Sequence, residues 1–146
     1  MADLNTFYAT WTPRILSVLR IIAGFLFIWH GTQKFFNFPP MPPMPGADSM
    51  PPIMVVMITV AAVLELVGGL LILVGLFTRP VAFLLSGLMA VAYFMAHAPQ
   101  GFLPLQNGGE TAVLYCFVFL FLSVAGGGEW SLDRLIWSRE KLNLEE

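Results

Sequence analysis

Four apolar stretches, each near the roughly 20 residues that a bilayer's hydrocarbon core requires, take up most of this 146-residue chain. They cover about 15–36, 53–77, 80–98 and 110–127, with prolines or charges marking their ends. Only 11% of the residues are charged, against roughly a quarter in soluble domains, while 58% are hydrophobic and the mean hydropathy is +0.79. So few polar side chains cannot cover a water-soluble surface, and lipid is the expected solvent. No stretch alternates with the period of two that a membrane barrel needs. The expected fold is all-α: a polytopic four-transmembrane-helix bundle, one membrane domain over 1–146, with a Pro-rich external loop at 37–52 and a short C-terminal interfacial helix in the tail 129–146.

Basic residues set the expected orientation, because lysine and arginine gather on the cytoplasmic side. With four spans, Arg14, Arg20, Arg79, Arg134, Arg139 and Lys141 share one side and Lys34 alone takes the other. Both termini are therefore expected in the cytoplasm, in a bacterial inner membrane. Residues 1–13 carry no base and no small-residue cleavage pattern follows the first span, so that span is expected to stay as an anchor. Thr78-Arg79 separates spans two and three so briefly that they should form an antiparallel hairpin. Residues 37–52 hold seven of the eleven prolines and cannot be helical. In the tail, Ser131 can cap a helix with Asp133 in its first turn. Trp130 and Trp137 suit a membrane surface.

Composition also excludes function classes. A net charge of −2 without a basic run leaves no footprint for nucleic acid. One cysteine, Cys116, rules out an internal disulfide, a CxxC pair and a cysteine-built zinc site. There is no dinucleotide fingerprint, no P-loop and no secure bis-histidine pair for haem. No stand-alone catalytic motif or intrinsic cofactor is expected.

Ionisable residues inside a span are costly and mark functional candidates. At 100° per residue, Arg20 shares a face with Ser17, Gly24, Phe27, Gly31 and Lys34. Glu65 shares one with Ala61, Ala62, Gly68, Gly69 and Ile72. A third stripe holds Arg79, Ser86, Ala90, Tyr93 and His97, and Ala82, Ser86 and Ala90 repeat every four residues. Ala61, Gly68 and Gly75 repeat every seven. Small residues at Gly24, Gly31, Ala61, Gly68, Gly69, Gly75, Ala82, Ser86 and Ala90 permit close helix approach. Arg20 lies about 9 Å and Glu65 about 18 Å from the cytoplasmic end of its span, at 1.5 Å per residue. The expectation is a buried Arg20–Glu65 ion pair with Arg79 below it, serving either function or helix register.

A second polar group falls at the external ends of the spans: His30, Lys34, His97, Asn107 and Glu110. Two histidines beside a carboxylate and a lysine suit hydrogen bonding to a carbonyl and proton exchange near neutral pH. They are candidates for ligand binding or proton relay, and solvated interfacial residues are the alternative. A metal site from His30, His97 and Glu110 lacks local ligand spacing. Met41, Met44 and Met50, with Met54 and Met57, offer thioethers to cuprous copper, though methionine also serves as an adaptable apolar filler. Cys116 reads as a small buried residue.

The motifs also resemble a known family. Leu19-Arg20-Ile21-Ile22-Ala23-Gly24, then His30-Gly31-Thr32-Gln33-Lys34, is similar to the N-terminal signature of DoxX-type membrane proteins. Glu65-Leu66-Val67-Gly68-Gly69, Gly75-Leu76-Phe77-Thr78-Arg79, Asn107-Gly108-Gly109-Glu110 and Gly128-Glu129-Trp130-Ser131-Leu132-Asp133 resemble its later motifs, in order, over about residues 14–135. The resemblance implies a four-helix inner-membrane bundle. It also implies association with membrane oxidoreductase systems, including thiosulfate:quinone oxidoreductase and responses to quinone or thiol stress. The proline- and methionine-rich loop is longer than the family pattern.

The leading expectation is a membrane subunit or accessory protein of an oxidoreductase system, holding a quinone near His30, Lys34, His97 and Glu110 and taking electrons from a membrane or peripheral redox-protein partner. The alternatives are a non-enzymatic assembly subunit whose small-residue faces pack on neighbours, including copies of itself, and a small-molecule transporter.

Overall fold

The computed structural model describes residues 2–41 and 50–143, and side chains as far as residue 137. Every regular element among the described residues is helical. Helix α1 spans Ala2–Phe36, α2 Pro52–Val63, α3 Gly69–Val74, α4 Thr78–Ala92, α5 Pro104–Asn107, α6 Glu110–Ala125 and α7 Leu132–Asn143. Single π-helical turns, Leu64–Gly68 and Tyr93–His97, join α2 to α3 and extend α4. Three helical runs, Asp3–Phe36, Pro52–Val74 and Thr78–Gln100, are long and apolar enough to cross a bilayer, and the apolar Glu110–Ala125 is shorter. The chain is thus a helical membrane bundle, as expected.

Its first helix begins earlier than the apolar stretch at residue 15. At 35 residues, about 52 Å long, α1 exceeds the roughly 30 Å hydrocarbon core, and residues 3–12 are all exposed. Pro13 sits inside α1, where it supplies no N–H. Its carbonyl accepts from Ser17 Oγ at 2.9 Å and from the Glu129 N–H at 3.0 Å, which ties α1 to the segment after α6.

Two antiparallel pairs make the bundle. In the first, α1 lies on α2–α3: a Cβ on Gly24 would meet Leu73 N at 2.6 Å, and one on Gly31 would meet Leu66 N at 2.7 Å. Only glycine allows this approach, because the obstacles are backbone atoms. The second pair is α4 with α6, where Ala82 is fully buried and the buried Ser86 donates to the Cys116 carbonyl at 2.9 Å. Phe27, Ile72, Leu85, Phe119 and Leu122 form the dry layer between the pairs. This layer separates two polar ends, one beside the chain termini and one beside the loops that follow α1 and α4.

The hairpin between spans two and three turns at Gly75, earlier than Thr78-Arg79. Gly75 takes φ +74° and caps α3, and Phe77 is also left-handed at +51°. Asp133, at the start of α7, holds this strained turn: its two carboxylate oxygens accept from the Phe77 and Thr78 N–H groups at 2.7 and 2.8 Å.

Candidate functional site

At the terminal end, Arg20 is fully buried. Its guanidinium donates to four carbonyls: Ile72 and Leu73 at 2.5 Å each, Gly127 at 2.8 Å and Trp130 at 2.8 Å. The first two lie in the last turn of α3, where the Ile72 carbonyl also accepts from the Gly75 N–H at 3.1 Å, so Arg20 adds to the capping of that helix from a distance. A fork of N–H donors suits this work better than an ammonium. Neighbouring glycines make room: a Cβ on Gly75 would lie 2.8 Å from Arg20 Cζ, and one on Gly128 would lie 2.4 Å from Ser17 Oγ. The expected Arg20–Glu65 pair does not form. Arg20 finds its partners at the end of α3 and in the segment around Gly127 and Trp130, and Arg79 lies exposed over Gly126 instead of beneath that pair.

Glu65 belongs to the opposite end. Residues 51–60 are exposed throughout, so the start of α2 projects past its neighbours and Glu65 comes level with the end of α1. There Lys34 Nζ meets Glu65 Oε1 at 2.5 Å. The side chain of Glu65 is 3% exposed and that of Lys34 29%, so the lysine reaches inward from the rim. Glu65 Oε2 is buried without a hydrogen-bond partner among the described residues. An unpaired buried carboxylate oxygen is costly.

Glu65 lines a cavity of about 290 Å³ together with His30, Lys34, His97 and Tyr115, over a floor that includes Phe27 and Met89. His30 packs edge-on against Tyr115, with ring centroids 5.9 Å apart. His97 Nδ1 lies 3.0 Å from the Asn107 carbonyl. A carbonyl only accepts, so Nδ1 carries the proton and, in neutral His97, Nε2 is left as an acceptor. Both Glu65 and His97 sit on the two π-helical turns, a local widening common at functional positions.

Three of the five expected external residues, His30, Lys34 and His97, meet at this cavity. Glu110 does not line it and lies exposed in the first turn of α6; Glu65 takes the place of the acid. Asn107 instead secures the preceding loop, donating to Gly101 O at 2.6 Å and accepting from the Gly109 N–H at 2.8 Å. Tyr93 helps by donating to the Phe102 carbonyl. Tyr115 was not singled out by sequence, although its spacing of four from Phe119, on which it stacks, marks an inward face. No cluster of three or more His, Cys, Asp or Glu suited to a metal occurs among the described residues. Of the methionines considered for copper, Met44 lies outside the described residues, and Met41 and Met50 flank that gap.

Comparison with known proteins agrees with this architecture. The DoxX family profile matches residues 15–98. An uncharacterized protein of Haemophilus influenzae is 44% identical over 131 residues, covering 87% of this chain and 94% of its own length. An uncharacterized membrane protein of Mycobacterium tuberculosis is 28% identical, covering 87% and 84%. A Bacillus subtilis protein named "Putative oxidoreductase CatD" is 27% identical, covering 85% and 88%. No solved structure matches.

Proposed function

The chain belongs to the DoxX family, and on that premise we propose that it serves a membrane oxidoreductase system by holding a quinone headgroup in the cavity beside Glu65. The observation that carries this reading is that Glu65, whose buried Oε2 has no partner among the described residues, lines a cavity with Lys34, His30 and His97. At about 290 Å³ the space is near the lower end of small-molecule pockets and suits a ring, with a prenyl tail left in lipid. The name of the Bacillus subtilis relative points to the same class of system.

The donor set fits both redox forms. The Lys34 ammonium can donate to a quinone carbonyl, and Glu65 Oε2 or His97 Nε2 can accept a proton from a quinol hydroxyl. Quinone chemistry moves electrons together with protons. A partner redox protein supplies or takes the electrons, while this chain's residues hold the protons and orient the ring. The distribution of basic residues supports a reading with both termini in the cytoplasm of an inner membrane.

The assembly reading rests on small-residue faces, and these are largely used inside the chain, Gly24 on Gly69 and Ser86 on Cys116. The transport reading rests on an Arg20–Glu65 stripe. Arg20 and Glu65's partner Lys34 instead lie about 21 Å apart along α1.

Purified protein in lipid nanodiscs, titrated with a short-chain ubiquinone or menaquinone analogue, tests the proposal. Saturable binding is expected, weakened roughly tenfold by Glu65→Gln, the loss expected for one charge-assisted hydrogen bond. Absence of saturable binding to the wild-type protein by either analogue overturns it.

A further inference from the structure

A groove of about 700 Å³ at the terminal end takes no part in the cavity chemistry. Its walls include Thr78, Arg79, Arg134 and Trp137, above the Gly126–Gly128 loop. Arg79 is exposed and has neither an ion pair nor a hydrogen bond among the described residues, although its Nε lies only 3.3 Å from where a Gly126 Cβ would stand. Its guanidinium is laid over the groove with its donors unused.

The acids nearby are already engaged. Asp133 uses both oxygens on the Phe77 and Thr78 N–H groups. Glu129 shares its oxygens between Arg14 at 3.0 Å and Arg134 at 3.9 Å. Arg79 thus makes no direct ion pair among the described residues, although the Asp133 carboxylate lines the same groove. A second observation is independent of it: Thr78 is fully buried, lines the groove, and its Oγ1 has no hydrogen-bond partner among the described residues. Phe77 and Trp137, both exposed, add an apolar rim suited to the membrane interface.

We infer that this groove binds the phosphate of an anionic phospholipid headgroup, with Arg79 as the main contact, Arg134 and the Thr78 hydroxyl as supports, and Phe77 and Trp137 against the glycerol and upper acyl region. The inference stands apart from the quinone reading, since no residue is shared between groove and cavity. It requires a phosphate oxygen as acceptor, since arginine forks match phosphate geometry.

Native mass spectrometry of the full chain, released from a neutral detergent after incubation with phosphatidylglycerol or phosphatidylcholine of equal chain length, tests it. The expected result is preferential retention of phosphatidylglycerol, reduced roughly tenfold in Arg79→Ala, as for loss of one charged hydrogen-bonding partner. Arg79→Lys should retain part of the preference, with a thermal melt like that of wild type. Equal retention of the two lipids by the wild-type protein, or a preference unchanged in Arg79→Ala, overturns the inference. So does stabilisation by inorganic phosphate with none by phosphatidylglycerol, which would make the ligand a soluble anion. If Arg79→Ala does not fold, Arg134→Gln and Thr78→Val take its place, and an unchanged preference in both overturns it equally.

Discussion

The two polar ends of the bundle each bury a charged side chain that is unusual for a membrane interior, and they treat it in opposite ways. Arg20 spends four of its five N–H donors on backbone carbonyls, and Gly75 beside it leaves no room for a Cβ. Glu65 has one partner at 2.5 Å, one oxygen with none among the described residues, and a cavity beside it. A buried charge with nearly all its donors used is a structural fastening. A half-satisfied one beside open space is the better candidate for a site.

The contrast breaks most severely if Arg20 proves dispensable. Arg20→Leu should destabilise the protein by about 3–5 kcal/mol, because four hydrogen bonds to carbonyls are lost, two of them buried, and the fully buried site is left with a void, and Arg20→Lys should recover only part. A thermal melt in detergent, or the yield of folded protein from membranes, measures this. Stability near wild type would mean that the glycine loop finds other donors.

Next in size is a pair of glycines that share a left-handed backbone and differ in surroundings. Gly75 has φ +74° and its Cβ would strike Arg20 and Ser131, whereas Gly108 has φ +69° with nothing within 4 Å. Gly75→Ala should cost about 2–4 kcal/mol, combining backbone strain with overpacking. Gly108→Ala should cost only about 1 kcal/mol of backbone strain. Equal melts for the two variants would show the terminal end to be less tightly packed than the distances indicate.

A smaller effect belongs to the Lys34–Glu65 pair. Lys34→Met should destabilise by about 1–3 kcal/mol by leaving a buried carboxylate unpaired, and adding Glu65→Gln should restore most of that loss without restoring quinone-analogue binding. A double-mutant cycle on melting, run beside the binding titration, separates the two roles. Restored binding in the double variant would assign the pair to structure alone. His97→Ala should change stability least, by less than about 1 kcal/mol, since it removes one hydrogen bond to a loop carbonyl. Its affinity for the analogue should fall several-fold, and unchanged affinity would remove His97 from the site.

Much of this was legible in the chain. Hydropathy gave the spans, and the cost of charge in lipid singled out Arg20, Glu65, Lys34 and the histidines. What failed was the pairing of Arg20 with Glu65. Depth counted along straight, flush helices placed them within reach, but α2 projects past its neighbours and a π-helical turn widens the helix at Glu65 itself. Glu110 misled for a related reason: it stands at the correct end of α6 but on a face turned away from the cavity. Arg20's true partners are backbone carbonyls, which no side-chain pattern marks.

The sequence alone determined the solvent and the helical class, because bilayer thickness and backbone hydrogen bonding leave a chain this apolar few alternatives. Only the tertiary structure decided which charge is held by backbone carbonyls and which is left half-paired beside a cavity. That choice depends on helix stagger and on close glycine contacts, set by packing between segments that lie as much as 110 residues apart.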